Sequence, residues 1–255
     1  MFRRIILTTA AAVLVACAAV AQTKVVCHRG YWTADGSAQN SIRSLVKADS
    51  IRAFGSEFDV WMTSDGKLVV NHDAKFKGVD IEASTYDQAR AIRLDNGEQL
   101  PSLDEYLEAS KHLNNGTRLV LEMKSLKDLK REDECAAKIV ECMKRHGVVD
   151  NTDIIAFSIN SCLAFRKLLP DSKVYYLDND LTPRKIKALG LAGIDYEQTT
   201  LRQHPEWISQ AHSLGLEVNV WTVNNKEAMR YFIGLGVDYI TTNEPVVLQQ
   251  LLAEE

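Results

Sequence analysis

The sequence has no excess of positive charge and no basic stripe. Its 255 residues contain 30 Lys and Arg against 34 Asp and Glu, which gives a formal net charge of -4. One short basic stretch, residues 124–131, is interrupted by Asp128 and is typical of a solvated helix start. A protein that binds nucleic acid without sequence preference needs clustered Lys and Arg to displace phosphate counterions. We therefore expect no nucleic-acid partner.

The chain also lacks linkers and low-complexity segments. After residue 24 no run rich in Pro, Gly or Ser marks a boundary, and basic and acidic residues are interspersed throughout. Its hydrophobic content of 46% is ample for one large core. We therefore predict a single domain over residues 22–255.

Cysteines are few and poorly placed for disulfides. Cys135 and Cys142 fall on one predicted helix, where seven residues give a rise of roughly 10 Å, too far for a disulfide. Cys27 lies in an apolar strand and Cys162 near a helix start, where the usual role is that of a small buried hydrophobe. We expect these four thiols to be free.

The first 21 residues have the pattern of an export signal. Arg3 and Arg4 give a positive start, an apolar run follows over residues 5–21, and Ala-Val-Ala at its end offers a small-residue cleavage site. We expect residues 1–21 to be removed as a signal peptide and the mature chain, periplasmic or secreted, to begin at Gln22. The run is too short for a typical membrane span, which takes ~20 apolar residues.

A lipoprotein signal is the alternative for this segment. Residues 14–17, Leu-Val-Ala-Cys, fit the pattern in which the cysteine is lipidated, so Cys17 would become the anchored first residue. Only residues 18–24 would then separate the anchor from the first strand, which is a short tether.

Strand-like and helix-like segments alternate from residue 24 to the C-terminus. The strands are continuous apolar runs, as buried parallel strands are, and each is followed by a helix. This pattern predicts a (β/α)₈ TIM barrel with an irregular insertion after the second strand, residues 74–101. The predicted strands are 24–27, 56–61, 118–123, 153–157, 173–177, 193–196, 217–221 and 239–242. The predicted helices are 40–51, 85–92, 102–113, 132–146, 161–169, 183–189, 205–214, 226–235 and 245–252.

Acidic residues follow the inner face of two predicted strands. Because successive side chains of a strand alternate, Glu57 and Asp59 share one face, and Glu122 comes from the next barrel strand. Closely packed carboxylates repel, so the group requires either a bound cation or a shared proton. These are hard oxygen donors without a soft ligand nearby, so a cation would be Mg²⁺ or Ca²⁺ rather than zinc. The alternative is an ion pair of one acid with Arg29 or Lys124.

Several motifs resemble the glycerophosphodiester phosphodiesterase family, in the right order over nearly the whole mature chain. The opening motifs are His28-Arg29-Gly30, Gln39-Asn40-Ser41, Glu57-Phe58-Asp59-Val60, Thr63-x-Asp65-Gly66 and His72-Asp73. The later ones are Glu122-Met123-Lys124, Trp221-Thr222-Val223-Asn224 and the run from Gly236 to Pro245. The resemblance implies metal-dependent hydrolysis of glycerophosphodiesters to glycerol 3-phosphate and an alcohol.

The resemblance also implies roles for individual residues. His28 and His72 would form an acid/base pair, since a histidine titrates near neutrality. Arg29 and Lys124 are placed to hold a phosphate, although either could serve as a counter-ion to the acids. Trp221 could pack on a glycerol or alcohol group, or belong to the core.

The sequence departs from the family pattern at two points. Where Pro-Glu-Asn-Thr is usual, it has residues 38–41, Ala-Gln-Asn-Ser, so the glutamate is replaced by Gln39; we expect Asn40 to cap the first helix. The usual Thr-Asp before the last proline is Thr-Asn, with Asn243.

Two other functions fit the same residues. A lipid phosphodiesterase of the sphingomyelinase D type would share the barrel, acids and histidines, but residues 74–101 are too polar to form the apolar lip it would need. A non-catalytic protein that binds phosphate esters would be expected to have lost a histidine or an acid, and none is missing. We therefore expect a small-molecule diester substrate.

Overall fold

The computed structural model describes residues 22–254. The predicted signal peptide over residues 1–21, together with the alternative lipidation site Cys17, lies outside the described residues. Within the described range, no helix combines the length and the apolar character that a membrane span requires.

Eight parallel strands of the described chain close into a barrel, as the sequence predicts. The barrel strands are β1 Lys24–Cys27, β2 Gly55–Met62, β6 Arg118–Met123, β7 Thr152–Ala156, β8 Val174–Tyr176, β9 Gly193–Glu197, β10 Glu217–Trp221 and β11 Tyr239–Thr242. The other strands are β3 Leu68–Val70, β4 Lys75–Phe76 and β5 Val79–Asp80. The order around the ring is β1-β11-β10-β9-β8-β7-β6-β2, and β2 pairs with β1 to close it through Val26 beside Gly55. β3 adds to β2 in antiparallel fashion, outside the ring.

Helices cover the outside of the barrel. Their buried faces pack on outward-facing strand residues such as Phe58 and Leu121, whereas Val26, Val120 and Ile155 point into the barrel. The helices are α1 Ile42–Ser50, α2 Tyr86–Arg90, α3 Leu103–Ser110, α4 Leu129–His146, α5 Ile159–Leu168, α6 Pro183–Ala188, α7 Gln198–Gln203, α8 Glu206–Ser213, α9 Lys226–Gly234 and α10 Pro245–Ala253.

The capping prediction for α1 is wrong, whereas α3 begins with a complete capping box. Ser102 and Glu105 form this box. At α1 the side chain of Ser41, not Asn40, accepts the hydrogen bond from the Ser44 N–H. Asn40 has a φ of 60°, in the left-handed region, so its side chain is turned away from the helix and toward the barrel.

The insertion after β3 is more ordered than the sequence predicts. β4 and β5 form a two-stranded antiparallel ribbon before α2, and α2 is shorter than predicted. A hairpin turn at Asp65 and Gly66 joins β2 to β3, with Gly66 at a φ of 73°. Helix α7 has no counterpart among the predicted helices, because five of its six residues are polar and only Leu201 is buried.

The four cysteines in the described range are free and buried. Burial raises the pKa of the Cys27 and Cys162 thiols, so both remain uncharged apolar packing groups, as predicted.

Candidate active site

Three buried acids meet at the C-terminal end of the barrel strands. Glu57 and Asp59 point inward from β2, and Glu122 points inward from β6, where it lies beside Asp59 in the strand register. One carboxylate oxygen from each lies within 4.8 Å of the other two, and their exposed fractions are 3%, 1% and 7%. The structure thus brings together the predicted acidic trio.

Lys124 and Arg29 neutralise the trio incompletely. Lys124 Nζ lies 3.2 Å from Asp59 Oδ1 and 2.5 Å from Glu122 Oε1, and Arg29 Nε lies 3.9 Å from Asp59 Oδ2. The Arg29 backbone N–H donates to Glu57 Oε2 at 2.6 Å. Glu57 Oε1 is nevertheless buried without a hydrogen-bond donor in the described chain, and Glu122 Oε1 has only the Lys124 ammonium beside it. Glu57 Oε1 is therefore available to a cation.

The pKa values of the acids report the same crowding. Burial, Asp59 and Glu122 raise the pKa of Glu57 well above its usual range. Burial and the charge of Asp59 raise the pKa of Glu122 to about 7, although Lys124 opposes this. Burial also acts to raise the pKa of Asp59, but Lys124, His72 and Asn40 together hold it below its usual value. Without a cation the acidic trio therefore retains protons. As hard oxygen donors packed together, the three carboxylates fit Mg²⁺ or Ca²⁺.

Asn40 holds Asp59 from the other side. Its Nδ2 donates to Asp59 Oδ2 at 2.8 Å, while its Oδ1 accepts from the Asp59 backbone N–H at 3.1 Å. Asn40 is 2% exposed, so this pair of bonds is shielded from water. Sequence reasoning gave Asn40 a capping role and missed this contact.

His28 is held by a neutral amide. Its Nδ1 lies 2.8 Å from Asn243 Oδ1, which also accepts from Trp32 Nε1 at 3.1 Å. Since Asn243 Oδ1 is an acceptor, Nδ1 carries the proton and Nε2 retains a free lone pair. Burial and the neighbouring Arg29 charge lower the pKa of His28 to about 4. His28 is therefore a neutral imidazole at physiological pH.

His72 is held by a carboxylate. Its Nδ1 lies 2.7 Å from Asp73 Oδ1, and its backbone oxygen accepts from Trp61 Nε1 at 3.1 Å. Burial lowers the pKa of His72 as well, but the charge of Asp59 and the hydrogen bond to Asp73 act in the opposite direction. The two histidines thus have different partners, one neutral and one anionic.

The loop after β1 brings Arg29 to the site. Gly30 has a φ of 75°, and a Cβ there would collide with Ser44 of α1, so the position requires glycine. The Arg29 guanidinium Nη1 donates to Gln39 Oε1 at 2.6 Å. Because Gln39 is neutral, this contact orients Arg29 without cancelling its charge.

Both histidines, Arg29, Glu57 and Glu122 line a cavity of about 100 Å³ in the barrel mouth. Trp221 lines this cavity. Its Nε1 donates to the Asp195 backbone oxygen at 2.8 Å, and its ring packs edge-on against Phe157.

Asp195 also lines the cavity, and the sequence did not predict it as a site residue. The alternation of side chains along the strand Gly193–Glu197 turns Asp195 into the barrel, and this pattern could have identified it from the sequence. The lining side chains are His28, Arg29, Glu57, His72, Glu122, Ile155, Phe157, Leu177, Asp195, Trp221, Thr222 and Thr241.

A second set of potential metal ligands lies between α3 and α4, away from the mouth: Asp104, Cys142 and His146. Asp104 Oδ1 lies 2.7 Å from both Arg145 Nη2 and His146 Nε2, so its charge is already paired. We interpret this group as an ion-pair network between helices.

Comparisons with known proteins agree with this architecture. The model of the glycerophosphoryl diester phosphodiesterase family matches residues 28–247. A glycerophosphodiester phosphodiesterase of Parabacteroides distasonis, known from its crystal structure, is 44% identical; the match covers 92% of this chain and 98% of that one, with a TM-score of 0.90. A glycerophosphodiester phosphodiesterase of Caldanaerobacter subterraneus subsp. tengcongensis is 27% identical over 248 residues, 91% of this chain and 98% of the relative.

A more distant structure shares the fold. The Oleispira antarctica phosphodiesterase, solved in complex with the product sn-glycerol-3-phosphate, is 22% identical and has a TM-score of 0.77. That match covers 92% of this chain and 98% of the other.

Proposed function

Because the chain belongs to the glycerophosphoryl diester phosphodiesterase family of enzymes, we propose that it hydrolyses glycerophosphodiesters to glycerol 3-phosphate and an alcohol with the help of a divalent cation. One observation carries the proposal: Glu57, Glu122, both histidines and Arg29 line a single cavity at the C-terminal end of the barrel strands, and Asp59 lies within 4.8 Å of the two glutamates. In TIM-barrel enzymes the active site lies at this end. The product bound to the Oleispira enzyme supports the choice of product.

Glu57, Asp59 and Glu122 would hold Mg²⁺ or Ca²⁺. When bound, the cation supplies Lewis-acid stabilisation of charge on the phosphoryl oxygens. The residues around it keep the ligands in place: Asn40 fixes Asp59, and Lys124 bridges Asp59 and Glu122. Such supporting contacts typically change metal affinity by about 10- to 100-fold when removed.

Arg29 and Lys124 would hold the phosphate. Arg29 presents a charged, planar guanidinium that suits phosphate oxygens, and neutral Gln39 leaves that charge available. Lys124 is a counter-ion to Asp59 and Glu122, so it contributes positive potential near the phosphate.

The different partners of the two histidines support a division of roles between them. His28 Nε2 carries a free lone pair and would take the proton from the attacking glycerol hydroxyl as general base. His72, oriented by Asp73, would protonate the leaving alcohol as general acid. When the environments of two titratable groups in an active site differ, their pKa values move apart, and one group can act as acid while the other acts as base.

Attack by the neighbouring glycerol hydroxyl would form a cyclic phosphate and release the alcohol. Water then opens the ring: His72, now neutral, takes a proton from the water, and His28 returns its proton to the departing glycerol oxygen. Both histidines thereby recover their starting state, and one water is consumed. Trp221 and Phe157 form the wall on which the glycerol carbons would pack.

We also propose that the enzyme acts outside the cytoplasm, after removal of residues 1–21. Mass analysis of the mature N-terminus tests this proposal: Gln22 as first residue is expected, and a lipidated Cys17 would replace the soluble form with an anchored one.

A turnover assay with a panel of glycerophosphodiesters tests the proposed activity. We expect activity with Mg²⁺ or Ca²⁺, loss of activity after exhaustive chelation, and recovery when the metal is returned. His28→Ala and His72→Ala should each lower kcat by roughly two to four powers of ten with a smaller effect on affinity. His112→Ala, an exposed histidine outside the cavity, is the matched control. Full turnover after chelation would refute metal dependence.

A further inference from the structure

Asp195 is a buried acid without a full set of hydrogen bonds. It points into the barrel from the middle of β9 and is 1% exposed. Within the described chain its Oδ1 has no hydrogen-bond partner. Buried polar atoms in native proteins are nearly always paired, so an unpaired oxygen that lines a cavity indicates a position for a ligand group.

Its neighbours form a polar layer at the floor of the active-site cavity. Asn219 lies beside Asp195 in the register of β9 and β10, and its Nδ2 donates to Thr241 Oγ1 at 2.8 Å. Below this layer lies a pocket of about 10 Å³, walled mainly by apolar and aromatic side chains. A pocket of that size holds at most about one water. A larger partner for Asp195 must therefore come from the cavity above.

The barrel topology places Asp195 opposite the metal and phosphate residues. In the closed ring β9 is four strands from β2 in either direction, so Asp195 faces Glu57 across the cavity. The wall on its side contains the apolar side chains Ile155, Phe157, Leu177 and Trp221. A phosphate held by Arg29 would thus point its organic substituent toward an apolar wall with one carboxyl group.

The protonation state of this carboxyl suits a hydroxyl group. Burial raises the pKa of Asp195 to about 8, although a hydrogen bond with the neighbouring Asn219 opposes this, and the charge of Glu122 acts in the same direction as burial. At neutral pH the group is therefore a carboxylic acid with one O–H donor and acceptor oxygens. A substrate hydroxyl is likewise both donor and acceptor.

We propose that Asp195 binds the terminal hydroxyl of the glycerol moiety, the one that takes no part in the reaction, and thereby selects glycerol over other diols. This inference rests on the proposed function. The small cavity favours the three-carbon glycerol unit as the group at the floor, while the leaving alcohol extends out of the mouth. Asp195 is in this account a specificity residue of the substrate site.

Calorimetric titration of two monoesters tests the proposal without requiring turnover. Glycerol 3-phosphate carries the terminal hydroxyl, and propane-1,2-diol 1-phosphate lacks it but is otherwise alike. Wild-type protein, with Mg²⁺ or Ca²⁺ present, should bind the first about 10- to 100-fold more tightly, as expected when a buried polar group loses its partner. Asp195→Leu, similar in volume, should reduce this preference to within about threefold.

Asp195→Asn is the matched control, since an amide also donates and accepts, and it should retain the preference. If Asp195→Leu does not fold, Asp195→Ala takes its place. Equal preference in wild type and the apolar variant would overturn the proposal, as would equal loss of affinity for both esters. Wild type that shows the preference yet turns over no diester would refute the proposed function and leave the hydroxyl site standing.

Discussion

Asn40 and Asp59 exchange two hydrogen bonds across the wall of the barrel. Asn40 Nδ2 donates to the carboxylate at 2.8 Å, and the Asp59 backbone N–H donates to Asn40 Oδ1 at 3.1 Å. One amide therefore fixes both the backbone and the side chain of a proposed metal ligand. It also ties the loop after β1, which carries Arg29, to β2, which carries two of the acids.

Removing the Asn40 side chain should weaken metal binding. Asn40→Gly is the appropriate change because glycine tolerates the left-handed backbone at this position. We expect the affinity for Mg²⁺ or Ca²⁺ to fall by about 10- to 100-fold, since Asp59 loses its supporting contact. Isothermal titration measures this, and Asn114→Gly, away from the trio, is the control. Unchanged metal affinity in Asn40→Gly would show that Lys124 alone positions Asp59.

Glu57→Gln should have opposite effects on the metal-free and metal-bound protein. The raised pKa of Glu57 means that its stabilising proton is bound at low pH and lost as pH rises through the folded-state pKa. Without metal, wild type should lose stability toward alkaline pH, and Glu57→Gln should lose less. At a free metal concentration of a hundred times Kd, the cation should raise the unfolding free energy of wild type by about 2.7 kcal/mol. It should raise that of Glu57→Gln much less.

Thermal unfolding with and without cation measures these differences. Asp153→Asn is the control, because Asp153 is a buried acid at the other end of the barrel, paired with Arg118 at 2.7 Å. The Asp153→Asn variant should unfold at a lower temperature than wild type, but the cation should raise its unfolding temperature by the same amount. A normal metal-induced shift in Glu57→Gln would exclude Glu57 as a ligand.

Asn243→Asp should move the acid limb of the pH–rate profile to higher pH. His28 acts as a base only when neutral, and its pKa of about 4 keeps it neutral over most of the range. A carboxylate 2.8 Å from Nδ1 would favour the imidazolium and raise that pKa by about one to three units. Asn243→Ala removes the hydrogen-bond partner of His28 without adding charge. This variant should have a lower kcat, but the acid limb of its pH–rate profile should not move to higher pH. An unmoved acid limb in Asn243→Asp would assign the base to another group.

Asp195→Asn should flatten the dependence of stability on pH. The pKa of Asp195 is raised to about 8, so its favourable proton is fully held below the unfolded-state pKa near 4 and is lost as pH rises toward 8. Relative to Asp195→Asn, wild type should lose on the order of a few kcal/mol over that window, with no further change above it. Denaturant unfolding between pH 4 and pH 9 measures this. If the difference in unfolding free energy between wild type and Asp195→Asn stayed constant as the pH rises toward 8, Asp195 would be ionised in the folded protein.

The sequence predicts the barrel and the acidic trio well because both depend on local periodicity. Alternation along β2 and β6 suffices to turn Glu57, Asp59 and Glu122 inward, and parallel strand ends necessarily meet at one edge. The departures Gln39 and Asn243 are visible in the sequence, but their contacts are not.

The contacts that tune the site could not be predicted because they join distant parts of the chain. Asn243 reaches His28 over 215 residues, and Asn40 reaches Asp59 only because its backbone is left-handed. Asp195 belongs to no motif of the resemblance, so its importance appears only when the closed ring places β9 opposite β2. Helix α7 was missed because a short polar segment with one buried residue lacks a periodic signal.

We propose that a glycerophosphodiester is cleaved between phosphorus and the head-group alcohol by attack of the neighbouring glycerol hydroxyl. Phosphorus NMR of glycerophosphocholine, incubated with the metal-loaded enzyme, tests this mechanism most directly. We expect glycerol 3-phosphate and choline as the final products, with a cyclic glycerol phosphate as transient species, and poor turnover of the analogue that lacks the neighbouring hydroxyl. Formation of phosphocholine and glycerol, or equal rates on the diester and that analogue, would contradict it.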